Sequence, residues 1–512
     1  MRLQGFVVLA TLLAALGLST VAQQRESLSA VPRTWDDAEI GRIQIPLADA
    51  AASPKQVTAD YYYQIPVRPI YKGYPVYAPG HEPAGYLEWL KQQDPVVLWD
   101  DHGHAPPLRT EADWIRAGEI VFDASPGRNR FFRIEDVRNP IWYQKTGARV
   151  SKDGVLPTLQ YVVKTKGVVE LGVLGCASCH TRVMPDGSIL KGAQSNQPIQ
   201  REAAFGMRAG AAASHDGAQY LTQLRGLLKS IHGAPWLRPD PEARIATMSV
   251  AEIADVLDAV PPGTSLRQGT NSFLPMQVPD LIGVKDRRYL DHTGLERHRD
   301  IADFMRYSAM NQGADLLASY AGFVPADVPR FTQLPAPGTR MRYSDEQLYA
   351  LTLYVYSLKP PLNPNAFDAL AERGQKIFER EGCAMCHTPP LYTNNKLTPA
   401  EGFQIPPEHL NIYDILRISV GTDSTLALRT RRGTGYYKVP SLKGLWYRNM
   451  FPHDGSCATL EDWFDAARLR DDYVPTGFKG YGVERRAVPG HEFGLRLSAE
   501  DKRALIAFLK TL

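Results

Sequence analysis

The sequence predicts a mainly α-helical protein made of two related units, which long irregular segments join and cover. Three observations support this prediction. The pattern G-C-A-x-C-H occurs twice, at residues 175–180 and 382–387. A longer pattern, V-P-x-L-x-G-x-x-x-R-x-x-x-x-H-x-G, also occurs twice, at residues 278–294 and 439–455. Repetition on this scale indicates two domains of one kind, and 39 Pro and 41 Gly among 512 residues indicate irregular connections.

Charge and cysteine content limit the function classes. Lys and Arg number 58 against 55 Asp and Glu, a net charge of only +3, so nothing in the composition favours a nucleic-acid partner. Four of the five cysteines belong to the G-C-A-x-C-H patterns. The fifth, Cys457, has no partner for an internal disulfide. We interpret it as a buried small apolar residue rather than a reactive thiol.

The N-terminus has the features of a secretory signal. Arg2 is followed by an apolar run over residues 6–18 and by small residues that end at Ala22. This pattern predicts a signal peptide over residues 1–22, cleaved near Ala22. The run is too short to cross about 30 Å of hydrocarbon, so we expect no membrane span in the mature chain. Cysteines that occur in C-x-x-C-H patterns without a disulfide framework fit a periplasmic or cell-exterior protein better than a small disulfide-rich secreted domain.

The next segment, residues 23–109, shows no clear helical period. It is rich in Pro and in aromatic residues, which cluster at residues 61–63, at 86–89 and at Trp99. Stiff aromatic side chains on an irregular backbone suit an arm that packs across the other domains. The alternative is that these rings form a substrate surface.

Helix signals set the predicted boundaries of the two units. The first unit is predicted over residues 110–340, a linking helix over 341–365 and the second unit over 366–512. The first unit contains a long insertion. Its end, residues 159–173, is rich in Val and is broken by a Lys-Gly pair at 166–167, which predicts a β-hairpin. Helix caps are predicted at Ser249, Ser344, Thr459 and Ser498.

Both units contain a similar amphipathic helix ahead of the G-C-A-x-C-H pattern. Residues 114–122 match residues 370–378 in the spacing of their apolar side chains. Gly118 and Gly374 hold the same place in the two segments. A glycine at that place would allow a crossing helix to approach closely.

Each G-C-A-x-C-H pattern contains C-x-x-C-H, which in an exported protein is typical of c-type haem attachment. Two thiols at this spacing can form thioethers with one haem, and the following imidazole becomes the proximal iron ligand. The alternative is a zinc or redox C-x-x-C that happens to precede a histidine, and the second copy weakens it. We predict two covalently bound haem c groups, whose thioether residues and proximal ligands are Cys176, Cys179 and His180, and Cys383, Cys386 and His387.

Further motifs accompany the second haem site. Y-K-V-P-S-L occupies residues 437–442, P-H-D-G-S residues 452–456 and T-L-E residues 459–461. With these motifs the chain resembles the bacterial di-haem cytochrome c peroxidase superfamily, which includes the methylamine-utilisation di-haem enzymes. The ending P-G-H-E-F-G at residues 489–494 is similar to the rubber-oxygenase-like branch. The resemblance implies two cytochrome c-type domains with haems near the interface, one haem reactive and the other relaying electrons.

The sixth ligand of the second iron follows from the same resemblance. The branch with this ending looks bis-histidine, which implies His491 as that ligand, and His453 and Met450 are the alternatives. We otherwise interpret His453 as a residue that hydrogen-bonds a haem propionate or orients its loop. His292 holds the same place in the first copy and receives the same interpretation.

The first haem has no clear distal ligand in the sequence. An open iron is what peroxide or dioxygen chemistry requires. The arm, the insertion over residues 123–172 and Trp236 are candidates for covering this haem. Four side chains are close enough in sequence to be considered as ligands: Met184, Met207, His215 and His232.

Two functions remain open at this point. The first is a redox enzyme that activates peroxide, or dioxygen, at the first haem and relays electrons through the second, as a peroxidase-like or oxygenase-like oxidoreductase. The alternative is a non-catalytic di-haem electron-transfer cytochrome. Either would exchange electrons with a small cytochrome or cupredoxin. The two copies have diverged unequally, since only the first carries extra covering sequence, and this favours the enzyme.

Overall fold

The computed structural model describes residues 31–125, 127–128, 131, 133–267, 269–311, 318–325, 334 and 336–512. The predicted signal peptide, residues 1–22, lies outside these residues. Within the described ranges, no helix is both long enough and apolar enough to cross a membrane.

Helices alternate with short strands along the described chain. The helices are α1 Asp37–Ile43, α2 Ala59–Gln64, α3 Tyr86–Gln92, α4 Glu111–Asp123, α5 Ile134–Val137, α6 Pro140–Thr146, α7 Cys176–Cys179, α8 Ile199–Ala213, α9 Gly217–His232, α10 Val250–Asp258, α11 Ile301–Asn311, α12 Asp345–Ser357, α13 Ala369–Arg380, α14 His409–Ile412, α15 Thr425–Leu428, α16 Leu460–Trp463 and α17 Ala499–Lys510. The strands are β1 Ile70–Tyr71, β2 Gly73–Tyr77, β3 Val97–Trp99, β4 Gly127–Arg128, β5 Val155–Thr165, β6 Val168–Val173, β7 Thr181–Val183, β8 Ile189–Lys191, β9 Thr264–Ser265, β10 Met276–Gln277, β11 Tyr289–Leu290, β12 Glu296–Arg297, β13 Leu397–Pro399 and β14 Tyr436–Lys438. Short 3-10 helices are Ala50–Ala52, Ala243–Thr247, Val284–Asp286, Pro337–Thr339, Cys383–Met385 and Ala466–Leu469. Helices carry most of the regular structure and the sheets are small, which agrees with the predicted mainly α class.

Two crossed helix pairs repeat the same packing. α4 packs against α12, and α13 packs against α17. A Cβ atom added at Gly118 would lie 2.0 Å from the Ala350 carbonyl oxygen. A Cβ atom added at Gly374 would lie 1.9 Å from the Ala504 carbonyl oxygen. The glycines therefore allow the close helix approach that the sequence predicts.

The helix expected in the linking segment 341–365 forms as α12 and is the partner of α4. A capping box between Ser344 and Gln347 fixes its first turn. Its buried side chains include Leu348, Leu351 and Val355. The other predicted caps also form, at Ser249, Thr459 and Ser498.

The predicted hairpin is present and belongs to a larger sheet. β5 and β6 pair antiparallel on either side of the turn at 166–167, and the sheet has the order β2-β5-β6-β4. β2 comes from the N-terminal arm. The arm is thus more regular than predicted, since it holds three helices and three strands in its described part.

Aromatic side chains of the arm pack against the first helix pair. Trp35 stacks on Tyr62 with 4.5 Å between ring centroids. Both rings are fully buried in one hydrophobic cluster with Trp114 and Leu351. This arrangement agrees with the interpretation of this part of the arm as a packing element, whereas Trp89 of the 86–89 cluster is 46% exposed.

Candidate haem sites

The second C-x-x-C-H motif starts where α13 ends. Gly382 terminates the helix with a φ of 74°, in the left-handed region that favours glycine. The next residues form the 3-10 helix Cys383–Met385. They open onto a mainly apolar cavity. The cavity is lined by Cys383, Cys386, His387, His453 and His491 among others.

His387 presents one ring nitrogen to this cavity. Its Nδ1 atom lies 3.1 Å from the Pro440 carbonyl oxygen and 3.2 Å from that of Tyr392. Nδ1 therefore carries the proton and Nε2 is left to bind a metal, the arrangement usual for metal-bound histidine. Burial lowers the pKa of His387 to about 4, so the imidazole is neutral and has a lone pair to donate.

His491 faces His387 across the cavity. Their ring centroids are 6.3 Å apart. Two imidazoles that bind one metal atom from opposite sides, each at about 2 Å, have centroids about 6 Å apart. The Nδ1 atom of His491 is buried and has no hydrogen-bond partner among the described residues. Burial, followed by the neighbouring His387, lowers the pKa of His491 to about 3.

The backbone around His491 is held in a strained conformation. His491 has a φ of 45°, and a Cβ at Gly490 would lie 2.2 Å from the Gly421 carbonyl carbon. The His491 amide donates to the Val420 carbonyl over 2.6 Å. Strain of this kind costs on the order of 1–3 kcal/mol and persists only where surrounding contacts impose it.

Arg468 supplies those contacts. Its side chain is fully buried and packs on the Trp463 ring at 4.1 Å. The guanidinium donates to the carbonyl oxygens of Val488 at 2.6 Å and Gly490 at 2.8 Å. Five donors in one rigid plane suit a residue that must bind several carbonyl groups at once. Nothing in the local sequence distinguishes Arg468 from the other arginines, and the sequence analysis missed it.

The two alternatives to His491 are placed less well. Met450 does not line the cavity; its Sδ atom lies instead beside Gly477. His453 lines the cavity, but its ring stacks on Tyr437 at 4.4 Å, and its Nε2 is 3.2 Å from the Tyr437 hydroxyl. The geometry therefore favours His491 as the residue opposite His387.

The first C-x-x-C-H motif lies at a second cavity. A two-residue connection joins β6 to α7, which carries the motif. Leu174 and Leu351 line the cavity beside it. His180 is buried, and burial lowers its pKa to about 3. The Pro279 carbonyl faces the imidazole and favours its protonated form, as Pro440 does at the second site. No hydrogen bond to Nδ1 of His180 forms at bonding distance within the described residues.

None of the four side chains considered as distal ligands lines the first cavity. Met207 belongs to the hydrophobic cluster of α8, α9 and α10, and Met184 packs near Ile282. His215 is exposed, and His232 is buried beside Arg431. Among the described lining residues, His180 is the only His or Met. Trp236 does not cover this cavity, because it stacks on Tyr320 in a separate cluster.

The V-P-x-L-x-G repeats have the same local structure. Arg287 donates to the carbonyl oxygen of Asp280, and Arg448 donates to that of Ser441, at the corresponding place, over 2.9 Å. The sequence analysis left the role of these arginines open. Their guanidinium groups stabilise the two loops in which the Pro279 carbonyl faces His180 and the Pro440 carbonyl faces His387.

The two repeats are also bonded to each other. The Lys438 amide donates to the His292 carbonyl over 2.9 Å, and the Gln277 amide donates to the His453 carbonyl over 2.7 Å. The His292 ring bonds through Nε2 to the Gln277 carbonyl oxygen, 2.7 Å away. His292 and His453 therefore link the two sites, and both also line the second cavity.

Cations are concentrated where the two sites meet. Arg287, Lys438 and Arg448 line a small cavity between them, together with Asp280. Burial, followed by the neighbouring Arg287, lowers the pKa of Lys438 to about 7. A haem carries propionate carboxylates, so a cationic junction beside two thiol-and-imidazole cavities fits this cofactor.

Cys457 belongs to neither motif. It is fully buried in the hydrophobic cluster of α13 and α17, against which Cys383 of the second motif also packs. Burial raises the pKa of its thiol to about 12, which disfavours the reactive thiolate. These contacts agree with the interpretation of Cys457 as a core residue.

The comparisons with known proteins add little to this geometry. No protein-family model and no curated protein matches the sequence. Hydrazine synthase of Kuenenia stuttgartiensis aligns over 47% of this chain and 73% of its own, with 18% identity and a TM-score of 0.26. A MauG-like protein associated with microbial copper homeostasis aligns over 33% of this chain and 56% of its own, with 17% identity and a TM-score of 0.22. At these TM-scores, function is argued from the residues of the chain itself.

Proposed function

We propose that the chain is a periplasmic or secreted di-haem c-type redox enzyme, an oxidoreductase that activates peroxide or dioxygen. One haem c would be attached at Cys176 and Cys179 with His180 as its ligand. The other would be attached at Cys383 and Cys386 and bound by His387 and His491. The observation that carries the proposal is the inequality of the two cavities: the second has two facing imidazoles, whereas the described lining of the first has one.

The second site is suited to electron relay. A haem iron bound by two buried histidines would have no free coordination position for a small molecule. The arrangement of its ligands would change little between the ferric and the ferrous state. Around the motif, Met385 is 55% exposed, and Cys383 and Cys386 are half-buried. An accessible edge of this kind would allow a small cytochrome or cupredoxin to exchange electrons there.

The first site is suited to chemistry. A haem bound there would supply one-electron and oxygen chemistry. The chain's own contribution is to leave the side opposite His180 without a second imidazole or thioether in the described residues. The hydrophobic cluster that contains Leu174 and Leu351 of this cavity also contains arm residues and Ala124 of the insertion, although none of these lines the cavity itself. This packing behind the lining would restrict access of water and of large molecules.

The test is the spin state of each iron in the oxidised protein. Electron paramagnetic resonance and absorption spectra should show one low-spin and one high-spin haem. The single-haem variant Cys176→Ala with Cys179→Ala should lose the high-spin signal and keep the low-spin one. Stoichiometric hydrogen peroxide or dioxygen, added to the reduced protein, should react rapidly at the first haem. Two low-spin haems and slow oxidation without adducts would instead indicate a non-catalytic carrier.

A further inference from the structure

The first cavity has a polar wall formed by one helix face and one arginine. α11 contributes Phe304, Tyr307, Ser308 and Asn311, which follow one another at the spacing of a single helix face. Arg267 lies beside them in the same wall. The remaining described lining, apart from the motif itself, is aliphatic.

The second copy indicates which side of the iron this wall faces. There, α16 follows the V-P-x-L-x-G repeat, and its Trp463 ring lies 5.4 Å from that of His491. α16 is thus on the side opposite His387. α11 follows the repeat at the corresponding place in the first copy, and this correspondence assigns its polar face to the side opposite His180.

The guanidinium of Arg267 is held in place by a neutral side chain, and the Asp291 carboxylate is close enough to act on it electrostatically without forming an ion pair. It donates through Nη2 to the Asn311 Oδ1 atom over 2.8 Å, and Asn311 Nδ2 donates to the Tyr307 carbonyl over 2.9 Å. The bond to the Tyr307 carbonyl orients the side-chain amide of Asn311, and the amide in turn orients the guanidinium of Arg267. In the described part of the chain, no carboxylate forms an ion pair with Arg267, and its side chain makes no other hydrogen bond.

Tyr307 is not an equivalent donor. Its hydroxyl donates to Asp291 Oδ1 over 3.0 Å, and Asp291 also pairs with Arg432 at 3.3 Å. The tyrosine proton is therefore engaged outside the cavity. Arg267 is left as the strong hydrogen-bond donor of this wall.

We propose that Arg267, positioned by Asn311, binds the ligand at the first iron and selects small anions, hydroperoxide in preference to dioxygen. A charged donor fixed in a cavity of low polarity stabilises negative charge on a ligand without reorganisation. A neutral diatomic ligand gains much less from the same group. This inference rests on the proposed function and specifies its substrate class.

Fluoride and carbon monoxide separate the two claims. Both are titrated by absorption spectroscopy, fluoride against the oxidised and carbon monoxide against the reduced holoprotein. Fluoride is an anion that needs a hydrogen-bond donor, whereas carbon monoxide is a poor acceptor. Arg267→Leu should weaken fluoride binding at the first haem on the order of 10- to 100-fold and leave carbon monoxide binding nearly unchanged.

Three further variants complete the design. Arg267→Lys should restore part of the fluoride affinity, and Asn311→Ala should lower it by a smaller factor because the guanidinium is kept but released. Arg116→Leu, at an exposed arginine of α4, is the control and should bind fluoride as the wild type does. If Arg267→Leu fails to fold, Asn311→Ala decides the question alone.

The outcomes are distinct. Unchanged fluoride affinity in Arg267→Leu, or in Asn311→Ala where that variant decides alone, would overturn the role of Arg267 and leave the open iron intact. A wild-type protein that binds neither fluoride nor carbon monoxide at the first haem would overturn the proposed function itself.

Discussion

The guanidinium of Arg468 donates a hydrogen bond to the carbonyl oxygen of His491, with 3.0 Å between the two atoms. The same side chain also binds the carbonyls of Trp463, Val488 and Gly490. One buried arginine thus holds the whole loop that presents His491 to the cavity. The position of a candidate iron ligand depends here on a residue 23 positions away in the sequence.

Replacing Arg468 should therefore affect both stability and the second haem. Arg468→Lys supplies at most three donors for the four carbonyls that Arg468 binds, so at least one carbonyl loses its donor and we expect a loss of about 1–3 kcal/mol in the free energy of unfolding. We also expect part of the second haem to become high-spin. Denaturant unfolding and electron paramagnetic resonance measure the two effects. Arg470→Lys is the control, because Arg470 is exposed and pairs only with Asp472. Equal unfolding midpoints for the two variants would contradict the role given to Arg468.

His491 itself should be required for the low-spin state of the second haem. His491→Ala removes one of the two facing imidazoles, so the second iron should become high-spin and bind carbon monoxide when reduced. His453→Ala is the matched control, since His453 lines the same cavity but pairs with Tyr437. Absorption spectra of both variants decide the matter. A low-spin spectrum in His491→Ala and a high-spin one in His453→Ala would exchange the two assignments.

The glycine at the crossing of α13 and α17 should not tolerate a side chain. In Gly374→Ala the new Cβ would meet the Ala504 carbonyl oxygen and force the helices apart, at a cost of about 1–3 kcal/mol. Gly41→Ala in α1 meets no atom within 4 Å and should stabilise by about 0.5–1 kcal/mol. Urea unfolding of the two variants should therefore shift in opposite directions. Stabilisation by both would mean that the crossing is looser than described.

Glu202 should make stability fall as the pH rises. It is buried in α8, and burial raises the pKa of its carboxyl from 4.5 to about 8. Between these values the unfolded chain releases the proton while the folded chain keeps it, so the free energy of unfolding decreases with pH and the loss is complete above about 8. Glu202→Gln removes this loss.

Unfolding measurements at pH 5 and pH 8.5 test this prediction. From pH 5 to pH 8.5, the free energy of unfolding of Glu202→Gln should rise by about 1–3 kcal/mol relative to that of the wild type. The same change in the free energy of unfolding with pH in both proteins would contradict a raised pKa of the buried Glu202 carboxyl.

Local signals account for what the sequence predicts well. The caps at Ser249 and Ser344 depend on residues three positions apart, and the hairpin turn depends on a Lys-Gly pair. Repetition extends this reach, because Gly118 and Gly374 at equivalent places indicated a helix crossing in both copies. Within the same helix, however, the periodicity was less informative. Leu370 belongs to the apolar spacing of residues 370–378, yet it is 42% exposed.

Long-range partners account for what the sequence does not predict. β2 lies in an arm without helical periodicity, and only its pairing with β5, more than 70 residues later, makes it a strand. Arg468 and Arg267 look like any other arginine until the loop and the helix that they bind are in place. The surroundings of His491 and the polar wall of the first cavity are built from such long-range contacts. Each C-x-x-C-H motif, in contrast, consists of five consecutive residues.

The reciprocal bonds between the two repeats bear on the ancestry of the chain. The Lys438 amide donates to the His292 carbonyl, and the Gln277 amide donates to the His453 carbonyl. Gln277 and His292 of the first copy hold the places of Lys438 and His453 in the second, so interchanging the copies converts each bond into the other. Identical subunits related by a two-fold axis make contacts of this kind. A single copy holds both the donor and the acceptor and would pair with another molecule of itself. The chain thus has the form of two like subunits joined in one polypeptide, one with two facing imidazoles at its cavity and the other with one in its described lining.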